Sequence, residues 1–210
     1  MLIGLLSALG CGGNPTSPAD NNDIESFFAN VSPIPTGIVG NYTYTGDDGS
    51  IETGQVVRDE TGNIQLVADR GASIYSNFWF DIVVEYDPAD VRYYTPMGLP
   101  VYYLGDTFDY DINIDYKRNL PLNLPGFLYT MLTSEQRYWP SGVILPGAST
   151  EVWYPFYIAP NESLIVEDDF TIVPGTIPGN DATWISIDVY FLNGIFQFNM
   201  AAGACGFWDP

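Results

Sequence analysis

The chain has 210 residues, of which 46% are apolar, 15% aromatic and only 15% charged, against about 25% charged in an average soluble domain; this favours a packed core over disorder or a coiled coil. Its formal charge of −20, from 26 acidic and 6 basic residues, repels phosphate backbones and argues against nucleic acid as a partner. There is no His, which excludes Ser-His-Asp triads, Cys-His dyads and His-based zinc sites, and two Cys are too few for a four-Cys metal centre.

Leu2 to Leu9 form an apolar run that stops at Gly10-Cys11. The run is far short of the ~18 residues that span a bilayer, so it reads as a signal segment over residues 1–10. Residues 11–23, rich in Gly, Asn, Pro, Ser and Asp, have no apolar periodicity and read as a flexible stalk. The small residue before Cys11 partly resembles the bacterial lipoprotein signal. That resemblance implies cleavage, acylation of Cys11, export, and membrane contact only through the lipid anchor. From the residues alone, a Cys11–Cys205 disulfide and two free thiols stay open.

Residues 24–72 read as an extended segment followed by β-hairpins. Asp23 to Val39 carries Ile24, Phe27, Phe28, Val31, Ile34 and Ile38 with no evident partner strand. Asp47-Asp48-Gly49-Ser50 and Thr61-Gly62-Asn63 punctuate strands predicted at 41–45, 51–58 and 64–68. Residues 73–210 read as the main domain, beginning with a long or bulged strand from Ser73 to Tyr86. Period-two alternation is clearest at Phe108, Tyr110, Ile112, Ile114 and Tyr116, which predicts one buried and one solvated sheet face. The same rhythm recurs at Val152–Ile158 and Ile185–Phe191. Asn193-Gly194 predicts a type I′ hairpin joining 184–192 to 195–201. A turn or two of helix is expected at Glu25–Val31, Gly126–Ser134 and Asn161–Asp168.

Many short strands divided by Gly and Pro predict an all-β fold, an antiparallel β-sandwich of Ig-like or Greek-key type with an N-terminal β-hairpin segment. Gly105-Asp106-Thr107-Phe108, Tyr138-Trp139-Pro140 and Pro146 to Ser149 are similar to features of β-sandwich modules in bacterial secreted and surface proteins. That resemblance implies fold and compartment and carries no catalytic residues.

The series Asp109, Asp111, Asn113 and Asp115 lacks the Gly and terminal Glu of a calcium loop and reads as a solvated strand face. Acidic loops offer weak metal candidates in Asp47, Asp48, Asp168, Asp169 and Asp181, with Ca2+ the one ion considered and no other cofactor implied. The clusters Asp87 with Asp90 and Glu167 to Asp169 belong to the same class. Trp153, Tyr157, Trp184 and Tyr190 share outward parity, and they are expected to form a ligand-binding aromatic patch if their strands share a sheet. No catalytic residue stands out. The leading expectation is a non-catalytic, lipid-anchored binding protein at the cell surface or in the periplasm, serving an extracellular or envelope protein or a glycan, with self-association open. The alternatives are a filament or coat subunit assembled by β-strand addition and, at a much lower weight, a carboxylate-based glycan hydrolase.

Overall fold

The structure is a computed structural model that describes residues 31, 33–70, 78–118, 128–145, 147, 151–152, 156–158, 162–191 and 194–209. The fold is all-β. A meander of β1 (Gly37–Gly46), β2 (Ile51–Arg58) and β3 (Asn63–Ala68) comes first, close to its predicted bounds. Its first turn closes through Gly46 N–H to Ser50 O at 2.8 Å and Gly49 N–H to Gly46 O at 2.9 Å, with Gly49 at φ +82°, a conformation that L side chains rarely adopt. In the second turn the Asp59 carboxylate accepts the main-chain N–H of Thr61 and of Asn63, each at 2.9 Å. The Thr61 hydroxyl and the Asn63 side-chain amide, with those main-chain bonds behind them, hold its carboxyl down to about 2.

Then follow β4 (Phe78–Tyr86), β5 (Tyr93–Tyr94), β6 (Pro100–Tyr103), β7 (Thr107–Arg118), β8 (Leu128–Tyr138), β9 (Glu151–Val152), β10 (Phe156–Ile158), β11 (Ser163–Thr171), β12 (Gly179–Phe191) and β13 (Gly194–Trp208). The strand order is β10-β8-β12-β13-β1-β2-β3-β4-β7-β11, with β9 on β8 and β5 on β6. Pairing is antiparallel except where β6 runs parallel to the end of β13, from Gly206↔Val101 to Trp208↔Tyr103.

The ordered path folds back on itself, so that the β4-β7-β11 end lies face to face with β8-β12-β13 while the meander joins the two along one side. Contacts across the middle fix this arrangement. Tyr86 Oη lies 2.9 Å from Thr183 Oγ1, Tyr110 Oη lies 3.2 Å from Ser134 Oγ, and the Phe207 ring packs 6.4 Å from Phe108 and 6.5 Å from Phe170. The alternation on β7 emerges as predicted: Phe108, Tyr110, Ile112, Ile114 and Tyr116 are all buried, as are Ile185, Ile187 and Val189 on β12.

Three local expectations are corrected. Residues 128–134 and 163–168 are strand rather than helix, because β8 pairs with β12 from Tyr129↔Tyr190 to Asp181↔Tyr138 and β11 pairs with β7 along its whole length. Long-range ladders override weak local helix preference. The Gly37–Val39 part of the Asp23–Val39 segment does have a partner, since it belongs to β1 and Ile38 pairs with Val57; Val31 and Ile34 are buried, and residues 23–30 and 32 lie outside the described residues. Gly194 is not in a positive-φ turn but is the first residue of β13, paired with Phe191. A Cβ there would stand 2.4 Å from the Tyr44 ring, so close approach is what requires Gly. The β12–β13 hairpin itself forms as predicted.

A bulge shapes the far end of that hairpin. Thr183 faces Gly203 and Trp184 faces Ala201, which leaves Ala202 as the extra residue on β13. From Met200 to Trp208 every residue is buried: Gly203 lies against Val84 and Tyr86, β6 pairs along the strand edge from Gly206 to Trp208, and Val31 lies against Gly206. Small residues are needed there: a Cβ on Gly203 would meet Val84 Cβ at 2.6 Å, and one on Gly206 would meet Val31 Cγ2 at 2.9 Å.

Candidate functional site

The inward turn of the alternating aromatic and aliphatic residues on β7 forces its Asp residues outward, and the register sets acids of both neighbours beside them. Glu167, Asp111 and Glu85 form one row across β11, β7 and β4. Asp169 faces Asp109 in the next row, which Asp87 extends by donating its N–H to Asp109 O at 2.9 Å. Asp115 and Asp81 face each other further along. Directly opposed like charges on a sheet repel. The Asp109 carboxyl is raised, first by desolvation and then by the charges of Asp90, Asp169, Asp87 and Asp111.

An open cleft of about 780 Å³ runs along these rows, lined also by Tyr86, Pro88, Tyr110 and Asp168. Two basic side chains are engaged elsewhere. Arg92 Nε donates to Asp106 at 2.7 Å, and Arg137 Nε donates to Glu135 at 2.6 Å. The clusters Asp87 with Asp90 and Glu167 to Asp169 therefore meet, bridged by Asp109 and Asp111. Sequence reasoning had set those two β7 residues aside as a plain solvated face, and it did not single out Glu85 at all. Parity carried half of the signal, since Asp109 and Asp111 were correctly placed outward. The neighbours came only from register.

The metal candidates separate. Asp48 lies in the β1–β2 turn with Asp47 and is lowered by its side-chain and main-chain bonds to Ser50. Asp168 points inward from β11, where its carboxylate accepts from the Tyr110 hydroxyl and, at 2.5 Å, from Ser134 Oγ on the opposite layer. Asp169 stands outward in the acidic rows. Asp181 is buried on β12 in the other layer, with neither carboxylate oxygen hydrogen-bonded, and burial lifts its carboxyl to about 8. Among the described residues no group of three or more acid or Cys side chains is placed to hold a metal ion. Cross-strand carboxylates stand about 5 Å apart and side by side, a geometry that spreads charge instead of converging it.

The aromatic candidates divide too. Their strands share a sheet, but β8 lies between β10 and β12. Positions 157, 129 and 190 stand side by side across β10, β8 and β12. Trp184 is six residues from Tyr190, roughly 20 Å along the strand. It is half-buried, 6.1 Å from the Trp139 ring and under the Arg137 guanidinium at 5.1 Å, with its Nε1 lacking a hydrogen-bond partner. Tyr190 is half-buried with Oη 4.0 Å from Met131 Sδ. Trp153 and Cys11 lie outside the described residues. Cys205 is a free, buried thiol, raised by burial and then by Asp181.

No helix among the described residues is long and apolar enough to cross a membrane. No protein-family model matches the chain, and neither does any curated protein sequence. Among solved structures, it is similar at 12% identity and TM-score 0.31 to the Pseudomonas fluorescens alkylpurine DNA glycosylase AlkC bound to DNA containing an abasic site analog, over 60% of this chain and 30% of that one. It is similar at 10% identity and TM-score 0.30 to the CARDB domain of PF1109 from Pyrococcus furiosus in complex with di-metal ions, over 60% of this chain and 88% of that one. A third structure, pT26-6p, aligns at 12% identity and TM-score 0.37 over 64% of this chain and 23% of that one. The chain thus spans less than a third of the length of the first and third of these proteins, and likenesses at these scores carry no conclusion about what it does.

Proposed function

We propose that this chain is an exported, non-catalytic interaction protein, anchored through Cys11, that docks a cationic partner on the acidic face of the β4-β7-β11 layer. The observation that carries the reading is the pair of carboxylate rows, Glu167–Asp111–Glu85 and Asp169–Asp109 with Asp87, set together by strand register. A face of that kind stores like-charge repulsion that a basic partner relieves, which raises both affinity and association rate at low salt. The partner class is an extracellular or envelope protein with a basic surface. Nothing in the reading needs a cofactor.

Titration of a labelled hexalysine peptide tests the docking face. The wild-type chain binds with an affinity that falls steeply between 20 and 150 mM salt, roughly tenfold or more. The Glu85→Gln, Asp111→Asn, Glu167→Gln triple variant loses most of that binding. Equal binding by the triple variant and the wild type overturns the reading. Mass spectrometry of the native N-terminus tests the anchor separately: an unacylated chain that retains Met1 refutes it. A second reading, a glycan platform, draws on the side-by-side positions 157, 129 and 190. It requires Tyr190→Ala to weaken binding to a neutral polysaccharide while leaving hexalysine binding intact.

A further inference from the structure

β11 ends the strand order, paired with β7 on one side and, among the described residues, with no strand on the other. In an antiparallel ladder, opposed residues alternate between pairs that exchange main-chain hydrogen bonds and pairs that do not. Tyr116 N–H donates to Glu162 O at 3.1 Å and Ile172 N–H donates to Asp106 O at 2.8 Å, so positions 162 and 172 both belong to the bonded set. Between them the even-numbered residues turn their main-chain groups to β7. Ser163, Ile165, Glu167, Asp169 and Thr171 turn theirs to the open edge. A separate contact agrees with this assignment: the N–H of Asp169 donates to the Asp168 carboxylate on its own strand, at 2.8 Å.

We propose that the edge from Ser163 to Glu167 adds an extended segment of a basic partner protein as a further strand. The segment alternates, with Lys or Arg on the outer face beside Glu167 and apolar residues on the inner face beside Leu164 and Val166. Charge decides the occupant. A second copy of this chain, at −20, would lay its own acidic face edge-on to this one and continue the carboxylate rows across the junction, so the copies repel. A basic strand gains what a second copy loses. Ile165 is 61% exposed on the outer face, paired with Asn113, and the aliphatic stem of a Lys or Arg on the added strand covers it. Asp168 closes the edge beyond Glu167, because its inward carboxylate has already taken the Asp169 N–H; an inward charge on an edge strand also blocks indiscriminate pairing. The open window is five residues, about 17 Å of strand.

This inference rests on the acidic face as the docking surface and adds main-chain recognition to it. The probes are an alternating Lys-Val nonapeptide, the same peptide with every second main-chain nitrogen methylated in either register, and hexalysine, each read by fluorescence anisotropy. The parent peptide is expected to bind at least tenfold tighter than hexalysine, and at least one methylated form is expected to lose that advantage, since methylation removes strand hydrogen bonds and leaves charge in place. Ile165→Pro removes an edge N–H that β7 does not use, and it is expected to abolish the advantage while the thermal midpoint shows the fold retained. Equal binding of the parent and both methylated peptides overturns strand addition and leaves the acidic face standing. Failure of the parent peptide and hexalysine alike overturns both.

Discussion

Asp181 is a carboxyl sealed between layers with neither oxygen hydrogen-bonded, opposite Cys205 on β13 and Tyr138 on β8, and burial lifts it from 3.8 to about 8. The folded state therefore keeps a proton that the unfolded chain releases above about pH 4. Its contribution is fully present below the unfolded value and is lost as pH rises toward 8, at about 1.4 kcal/mol per pH unit. Between pH 6 and pH 8 the loss comes to roughly 2 kcal/mol, a sizeable part of an ordinary stability of about 5–15 kcal/mol. The window is clean, because the chain has no His. Denaturant unfolding at pH 6, 7 and 8 should show wild-type stability falling by that amount. Asp181→Asn has nothing to ionise and should give a flat profile; its unpartnered amide costs at most about 1–3 kcal/mol more than the neutral carboxyl, while the wild type has lost about 3 kcal/mol by pH 6, so the variant should be at least as stable as the wild type there. The variant's advantage then grows by roughly 2 kcal/mol by pH 8. A variant profile parallel to that of the wild type would show that Asp181 is not the titrating group.

Two further outcomes check the packing. Gly203→Ala, whose Cβ falls 2.6 Å from Val84 Cβ and 2.8 Å from Tyr86 Oη, should cost about 1–3 kcal/mol in the same unfolding assay. Cys205 should stay inert to a thiol reagent in the native protein and react at full stoichiometry once denatured, since burial both hides the thiol and raises it; prompt native labelling would contradict its place in the core.

Strand positions in the first half and on β7 were legible because period-two alternation is local: each inward Phe, Tyr or Ile on β7 fixes its own neighbours as outward. The strands β8 and β11 were harder. Thr133, Ser134 and the acidic run at 167–169 carry little alternation, and their extended form comes from the ladders they join. Parity likewise places Trp184 and Tyr190 on one face but says nothing of how far apart two residues stand along it. Trp184 and Tyr190 have the same parity, but Trp184 lies mid-strand and Tyr190 near the end of β12.

The β class, the turns at Asp47–Ser50 and Thr61–Asn63, the outward direction of Asp109 and Asp111, and the net charge are legible in the chain alone, because each depends on residue type and nearest neighbours along it. Only the tertiary structure decided which acids stand opposite one another and that Asp168 faces inward to Tyr110 and Ser134. It alone decided that Asp181 is sealed without a partner and that β11 is left with an open side. Register and burial are properties of pairs far apart in sequence. A one-residue slip of β11 against β7 would leave every local preference intact and dissolve the carboxylate rows.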